Sequence, residues 1–274
     1  MAWVGAGQLI HPAHRRAAAS PADYGLSFEQ ISFKARDGLA LRGWFIRAPN
    51  PKGTLVFSHG YAGDCSPDLI YAPLFHQAGY NTMFFDYRGH GASGGNFTSL
   101  VYFEREDLLA ALDFLRARGI ARVGLIGFSM GGAIALATAP RSPMVVGVIS
   151  DCAFAELRNV MVHAARARRV PALLAPLLGL LIVAFASVRL RANLFSADPI
   201  HSVAQIAPRP LLIMHAGKDI QVPVEEARRL FDDTREPKEL WIVPNAMHRR
   251  IEEVARDEYH KRIVEFFDRA FGLG

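Results

Sequence analysis

Hydrophobic and polar positions alternate near the start of the chain and then give way to short apolar runs. Residues 28–33 and 39–46 alternate around the turn Arg36-Asp37-Gly38, which predicts an antiparallel hairpin. The later runs are almost continuously apolar, as is typical of strands buried on both faces of a parallel sheet. They cover residues 54–57, 82–85, 123–126, 145–149, 211–214 and 240–243. The pattern predicts two antiparallel strands followed by a mostly parallel sheet.

Helical patterns, such as those of residues 100–118 and 251–271, lie between the apolar runs. Strands and helices that alternate in this way are typical of an α/β fold with helices on both faces of the sheet. A chain of 274 residues with 51% hydrophobic content can bury one large core. We therefore predict one domain in which residues 26–153 and 199–274 form the core and residues 1–25 form an N-terminal extension.

One motif combines a strand, a sharp turn and a helix around a serine. The sequence Gly-Phe-Ser-Met-Gly at 127–131 follows an apolar run and precedes small residues, which matches the nucleophile elbow of alpha/beta hydrolases. A turn this tight strains the serine backbone, and side chains at positions 127 and 131 would collide with the neighbouring strand and helix. The Ser129 hydroxyl is expected at the carboxyl end of the sheet, where the helix N-terminus favours negative charge.

A serine nucleophile needs a base, and the base needs a carboxylate that fixes its tautomer. Asp219 follows the run at 211–214, and His248 follows the run at 240–243 and precedes the last helical pattern. The order serine, acid, histidine is that of alpha/beta hydrolases. Asp151, which ends another apolar run, is the rival of Asp219 as the acid. Six other histidines are interpreted as structural: His59 and His90 in turns, His215 at a strand end, and His163, His201 and His260 on polar or loop surfaces.

A tetrahedral intermediate also requires two backbone donors for its oxyanion. One should be the amide of Met130, the residue after the serine. The second should come from the loop after residues 54–57, where Gly60 allows the backbone to turn the Tyr61 amide toward the site. The glycine-rich loop at 86–93 is expected beside the same pocket.

Residues 154–198 separate two predicted strands by more than an ordinary connection and must contain structure of their own. Within them, residues 170–188 are uncharged and bracketed by arginines, as in a membrane span. Pro171, Pro176 and Gly179 argue against one continuous helix, and a span would separate strands of one sheet. We predict a helical lid over the active site. A dimer or membrane-surface contact through this segment is the alternative, and these roles can overlap.

The composition argues against a nucleic-acid partner, and the two cysteines argue against a metal site or a redox pair. The net charge of +5 and pI near 9.4 arise from scattered arginine clusters without a nucleic-acid motif, so we expect a solvated basic surface and no nucleic-acid partner. Cys65 and Cys152 fit neither a metal site nor a redox pair and are expected to be free thiols. Residues 1–10 are mildly apolar but are not preceded by a basic region and are too short to cross a bilayer, so we expect a cytoplasmic protein, with association at a membrane as the alternative.

Together these motifs resemble the alpha/beta-hydrolase superfamily over residues 26–271. The resemblance rests on Ser-His-Gly at 58–60, Asp-Tyr-Arg-Gly-His-Gly at 86–91, Gly-Phe-Ser-Met-Gly-Gly at 127–132, Gly-Lys-Asp at 217–219 and His248. It is greatest to the branch of small bacterial and eukaryotic serine hydrolases, often membrane-anchored, that includes depalmitoylating thioesterases.

The resemblance implies hydrolysis through an acyl-enzyme without a metal or organic cofactor. Ser129 would attack, His248 would transfer the proton, Asp219 would orient His248, and the Tyr61 and Met130 amides would bind the oxyanion. A carboxylesterase acting on small to medium acyl esters is the leading function, with an acyl-thioesterase or a serine peptidase as enzymatic alternatives. An alternative of another class is a membrane-associated or non-catalytic binding protein on the same fold.

Overall fold

A computed structural model describes residues 2–12 and 17–273. The predicted hairpin is formed by β1 (Glu29–Lys34) and β2 (Ala40–Ile46), which pair antiparallel with Phe33 opposite Leu41. Phe33 packs against the hydrophobic core, and Leu41 is buried in it. The alternating pattern thus brings one face of the hairpin against the rest of the domain.

Six further strands complete the sheet, and each contains one of the predicted apolar runs. They are β3 (Gly53–Ser58), β4 (Tyr80–Asp86), β5 (Val123–Phe128), β6 (Val145–Asp151), β7 (Leu211–Ala216) and β8 (Lys238–Val243). The order across the sheet is β1-β2-β4-β3-β5-β6-β7-β8, with β2 antiparallel to both of its neighbours and all other pairs parallel. The prediction of a mostly parallel central sheet is confirmed.

Helices cover both faces of this sheet. In chain order they are α1 (Ala2–Ile10), α2 (Ala72–Gln77), α3 (Glu104–Ala117), α4 (Met130–Thr138), α5 (Leu157–Ala167), α6 (Ala175–Leu190), α7 (Val224–Asp233) and α8 (Ile251–Phe271). Successive residues of β3 belong to different hydrophobic clusters: Val56 packs with residues of α3 and α4, whereas Leu55 and Phe57 pack with residues of α2 and α8. This alternation explains why the strand is apolar throughout.

Residues 154–198 contain α5 and α6, which pack against each other and are separated by residues 168–174. Residues 170–188 are not one continuous helix, as predicted, because Pro171 lies outside α6, which begins at Ala175. Pro176 and Gly179, however, lie within α6 and do not interrupt it. Pro176 occupies the first turn, where its missing N–H costs no helical hydrogen bond. Gly179 allows close packing, since a Cβ there would lie 2.7 Å from Cγ2 of Val162 on α5. Among the described residues, no helix is both long and apolar enough to span a membrane.

The N-terminal extension begins with α1, a helix that the sequence pattern does not predict. It packs against α6, where the Trp3 and Phe185 rings meet edge to face with centroids 5.6 Å apart. Its last residue, Ile10, is buried, and the Ile10 carbonyl accepts a 2.8 Å hydrogen bond from the Thr98 amide. These contacts fix α1 to the domain.

Candidate active site

Ser129 lies in a strained turn between β5 and α4, with φ 54° and ψ −117°. The flanking glycines are sterically required. A Cβ at Gly131 would lie 1.8 Å from the Ser58 carbonyl oxygen, and one at Gly127 would lie 2.4 Å from the Gly131 carbonyl oxygen. The Ser129 amide donates a 2.8 Å hydrogen bond to the Asp151 carbonyl and so ties the turn to β6. Strain of this kind persists only where the surrounding structure enforces it.

The structure brings Ser129, His248 and Asp219 into one hydrogen-bonded chain. Ser129 Oγ lies 3.0 Å from Nε2 of His248, and Nδ1 of His248 lies 2.5 Å from Oδ2 of Asp219. The serine hydroxyl therefore faces a ring nitrogen that can accept its proton, while the other ring nitrogen donates to the carboxylate. This is the arrangement that converts a hydroxyl into a nucleophile.

Asp219 is held by its own loop. Its Oδ1 accepts hydrogen bonds from the amides of Gln221 at 2.8 Å and Val222 at 2.9 Å, which leaves Oδ2 for His248. Burial raises the pKa of Asp219. The hydrogen bond and charge of His248 and the two amides lower it by a larger amount, so the net pKa lies below the ordinary value. The carboxylate is thus ionised at neutral pH and can stabilise an imidazolium.

Asp151, the rival acid, occupies the end of β6 but does not join this chain. Its Oδ2 accepts a 2.8 Å hydrogen bond from the Tyr259 hydroxyl of α8. Burial raises its pKa above the ordinary value. The acid within hydrogen-bonding distance of His248 is therefore Asp219.

The two expected oxyanion donors belong to segments that adjoin Ser129. Met130 is the first residue of α4, and Tyr61 lies in the loop after β3, which approaches so closely that a Cβ at Gly60 would be 3.6 Å from Cβ of Ser129. Within residues 2–12 and 17–273, neither amide has a protein acceptor. Both are therefore available for a negatively charged oxygen.

Two buried histidines shape the Tyr61 loop. His59 Nδ1 donates to the Gly60 carbonyl at 2.7 Å, and its Nε2 accepts the Tyr87 amide at 3.0 Å. Burial, with smaller contributions from His90 and other neighbours, lowers the pKa of His59 to about 3, so the ring stays neutral. His90 Nε2 accepts the Ala62 amide at 3.3 Å. Both rings act on the backbone of the loop, consistent with the structural role expected for them.

Arg249 is a candidate site residue that the sequence does not reveal. It follows His248 with a left-handed φ of 57°, and its guanidinium binds the buried Asp68 carboxylate. The same group lies 4.9 Å from the centre of the Phe128 ring, next to Ser129. Burial raises the pKa of Asp68 to about 6, although Arg249 opposes that shift. Arg249 therefore links the loop that carries His248 to the turn that carries Ser129. In the sequence, the only signal for this role is that Arg249 follows His248.

Cys152 lies next to Asp219 and His248, and the three side chains together resemble the ligands of a metal ion. In the described part of the chain, the ligand atoms of Cys152, Asp219 and His248 lie within 4.8 Å of one another. Asp219 and His248 are already hydrogen-bonded to each other, and burial raises the pKa of the Cys152 thiol well above its usual range. A metal ion there would require a thiolate and would separate the pair, so the site is better suited to proton transfer.

The sequence and the fold of the chain are similar to those of known proteins. Residues 49–205 match the Hydrolase_4 family, described as serine aminopeptidase, S33. The uncharacterized protein YqkD of Bacillus subtilis is 31% identical over 254 residues, which cover 88% of this chain and 81% of YqkD. The uncharacterized protein YfhR of Escherichia coli K12 is 28% identical over 251 residues, which cover 88% of this chain and 80% of YfhR.

An esterase of Pyrococcus furiosus has a similar solved structure. It superposes with a TM-score of 0.78 at 24% identity and covers 97% of this chain and 99% of its own. At this identity the likeness concerns the fold alone. The match over more than half of the residues and the relationship to YqkD show that the chain belongs to the Hydrolase_4 (serine aminopeptidase, S33) family of alpha/beta hydrolases.

Proposed function

We propose that the chain is a serine carboxylesterase that cleaves esters of small to medium acyl chains through an acyl-enzyme. The observation that carries this proposal is the continuous chain from Ser129 Oγ to His248 at 3.0 Å and from His248 to Asp219 at 2.5 Å. Such a chain supplies a nucleophile, a general base and the carboxylate that orients the base.

In the proposed reaction, Ser129 Oγ attacks the ester carbonyl carbon while His248 Nε2 takes the hydroxyl proton. The amides of Met130 and Tyr61 bind the oxyanion of the tetrahedral intermediate. The intermediate collapses when the ester C–O bond breaks and His248 protonates the leaving alcohol. Water then attacks the acyl-enzyme, again with His248 as the base, and the carboxylic acid leaves as Ser129 recovers its proton.

The segment over the core offers a place for the acyl or alcohol group. A groove of about 750 Å³ opens between α5, α6 and the start of α7, and its apolar lining includes Val162, Pro176 and Pro223. His163, on the same groove, donates a 3.0 Å hydrogen bond to the Ile220 carbonyl beside Asp219. Because the groove borders the acid loop, it is the proposed position of an apolar part of the substrate against α5 and α6, the helices of the predicted lid.

A serine peptidase is the second candidate because of the family's description. An aminopeptidase needs a carboxylate that is available to bind the substrate ammonium group. Three carboxylates around the triad have other partners: Asp68 binds Arg249, Asp86 accepts the amides of Cys65 and Ala92, and Asp151 accepts Tyr259. These contacts favour an ester, or an acyl thioester cleaved by the same steps, while Glu225 on the groove is the carboxylate that a peptidase would use for the substrate ammonium group.

The test is hydrolysis of p-nitrophenyl esters of increasing acyl length, with matching acyl thioesters and aminoacyl anilides. Wild type should cleave the esters with a burst of p-nitrophenol, and Ser129→Ala should abolish turnover. Ser150→Ala is the matched control, since Ser150 is a buried serine on the neighbouring strand β6 whose hydroxyl has no hydrogen-bond partner in the described residues. Faster cleavage of the anilides would favour the peptidase, and ester turnover that survives Ser129→Ala would disprove the proposal.

A further inference from the structure

Large apolar side chains are exposed along one side of α6 and the residues that precede it. Leu173 is 90% exposed and Val188 is 67% exposed. Positions 173, 177, 180 and 188 follow the 3.6-residue period, opposite the buried positions 175, 179, 183 and 186. We call the exposed side, together with the exposed part of α1, the apolar face; it comprises Trp3, Val4, Leu173, Leu174, Leu177, Leu180 and Val188.

The two helices form one surface because α1 packs along α6. The Arg189 guanidinium stacks 4.0 Å from the centre of the Trp3 ring, which is itself 49% exposed. Tryptophan paired with arginine in this way presents an apolar ring beside a charged group, a combination enriched where proteins meet the lipid–water boundary. A 16-residue helix is about 24 Å long, so the face is an extended strip rather than an isolated side chain.

Within residues 157–197, which carry the larger part of the apolar face, the charges are all of one sign, whereas Glu225 of α7 lies beside Leu177 and Leu180. Residues 157–197 contain six arginines and no aspartate or glutamate. Arg166, Arg168 and Arg169 are exposed just before Leu173, and Arg189 and Arg191 lie at the other end of α6. The strip therefore has cationic groups at both ends.

We propose that the apolar face docks on the surface of a bilayer that contains anionic phospholipid. The leucines and Trp3 would enter the boundary between headgroups and acyl chains while the arginines bind lipid phosphates, as in helices that lie in the membrane plane. A symmetric dimer is disfavoured because the same patch meets itself, which would bring the arginines of residues 157–197 close to their own copies. This inference concerns binding and does not depend on the esterase activity.

The experiment is co-sedimentation of the whole chain with vesicles of phosphatidylcholine alone and of phosphatidylcholine mixed with phosphatidylglycerol. Wild type and Ser129→Ala should both pellet with the mixed vesicles, and about tenfold less with phosphatidylcholine alone or in high salt, which screens the arginines. Leu173→Ser/Leu177→Ser should reduce binding at least about tenfold, because both apolar anchors are lost.

One further variant controls for a general loss of surface hydrophobicity, and another tests the contribution of the arginines. Ile70→Ser/Val254→Ser replaces two other half-exposed apolar residues, 47% and 49% accessible, and should bind like wild type. Arg166→Gln/Arg169→Gln should lower binding to mixed vesicles to the level seen with phosphatidylcholine. Thermal unfolding of each variant verifies folding, which is expected because every substituted side chain is exposed.

A fluorescence measurement gives a second, independent readout. In Trp44→Phe/Trp241→Phe the only remaining tryptophan is Trp3, and its emission should shift to shorter wavelength when mixed vesicles are added. Absence of this shift, together with wild type remaining in the supernatant with both kinds of vesicle, would overturn the proposal. A dimer in chromatography that Leu173→Ser/Leu177→Ser dissociates, without any vesicle binding, would assign the face to a second copy of the chain and equally overturn it.

Discussion

The Tyr259 hydroxyl donates a 2.8 Å hydrogen bond to Oδ2 of Asp151. This contact joins α8 to the end of β6, one of the two positions at which the sequence allows the acid of a serine triad. Because the Asp151 carboxyl group is buried and its pKa is raised, it is suited to a structural hydrogen bond. Asp219, with a lowered pKa and a 2.5 Å contact to His248, is suited to charge stabilisation.

The first prediction concerns these two acids. Asp219→Asn should lower kcat for p-nitrophenyl esters by about 10⁴-fold, because an amide cannot stabilise the imidazolium and can hold the ring in the wrong tautomer. Asp151→Asn retains an acceptor for Tyr259 and should lower kcat less than about tenfold. Both variants are measured at neutral pH, and their thermal unfolding shows that they are folded. The opposite ranking would reassign the acid to Asp151.

The second prediction tests the loop that carries the Tyr61 amide. In Gly60→Ala, the methyl group would lie 3.2 Å from Nη1 of Arg249, so the Arg249 side chain or the loop must shift by a few tenths of an ångström, whereas 3.6 Å to Cβ of Ser129 is an ordinary contact. We expect kcat to fall about 10- to 100-fold with a small change in KM, because the oxyanion interaction acts mainly in the transition state. Gly63→Ala is the matched control, since a Cβ there has no neighbour within 4 Å. Equal activity of the two variants would argue against Tyr61 as a donor.

The sheet could be predicted from sequence because its signals are local. Each parallel strand is apolar throughout, since both faces are covered, and the run at 54–57 lies within β3. The helix α1 could not be predicted in the same way. Its nine residues are too few to form a stable helix alone, and its stability depends on packing against α6, a contact distant in sequence.

The candidate site was likewise predictable from sequence only in part. Ser129, Asp219 and His248 follow strands, and the carboxyl ends of parallel strands meet at one edge of a sheet, so their proximity was predictable. The sequence also favoured Asp219 over Asp151, but it does not reveal the Tyr259 hydroxyl of α8 that engages Asp151. Arg249 was missed since its partner, Asp68, is 181 residues away in the chain.

The third prediction concerns the contact between α5 and α6. Gly179→Ala would place a methyl group 2.7 Å from Cγ2 and 3.0 Å from the backbone nitrogen of Val162, so the two helices must separate. We expect the free energy of unfolding to fall by about 1–3 kcal/mol, as is usual for overpacking. Gly5→Ala is the control at another helix contact, where Ile182 lies at an ordinary 3.5 Å; there alanine should be neutral or stabilising. Denaturant unfolding measures both, and equal losses would show that the Gly179 contact is not tight.

The fourth prediction concerns Asp198, at the end of the predicted lid segment. Its Oδ1 accepts a 2.9 Å hydrogen bond from the Leu157 amide at the start of α5. Burial raises the pKa of Asp198 to about 7, with further increases from Glu156 and Glu226; the Leu157 amide and Arg158 oppose the shift. The group therefore binds its proton more tightly in the folded chain than in the unfolded one, where the ordinary pKa is 3.8.

The sign of the effect on stability follows from this difference. A raised folded-state pKa stabilises the fold fully below about pH 4, and the stabilisation is lost as the pH rises through about 7. Asp198→Asn keeps an oxygen for the Leu157 amide but cannot ionise, so its advantage over wild type should grow with pH. Between pH 4.5 and pH 8 the difference in unfolding free energy should increase by on the order of 3 kcal/mol, measured by denaturant unfolding at several pH values. A difference that stays constant over this range would show that Asp198 titrates alike in both states, and that burial of its carboxylate beside α5 has no free-energy cost.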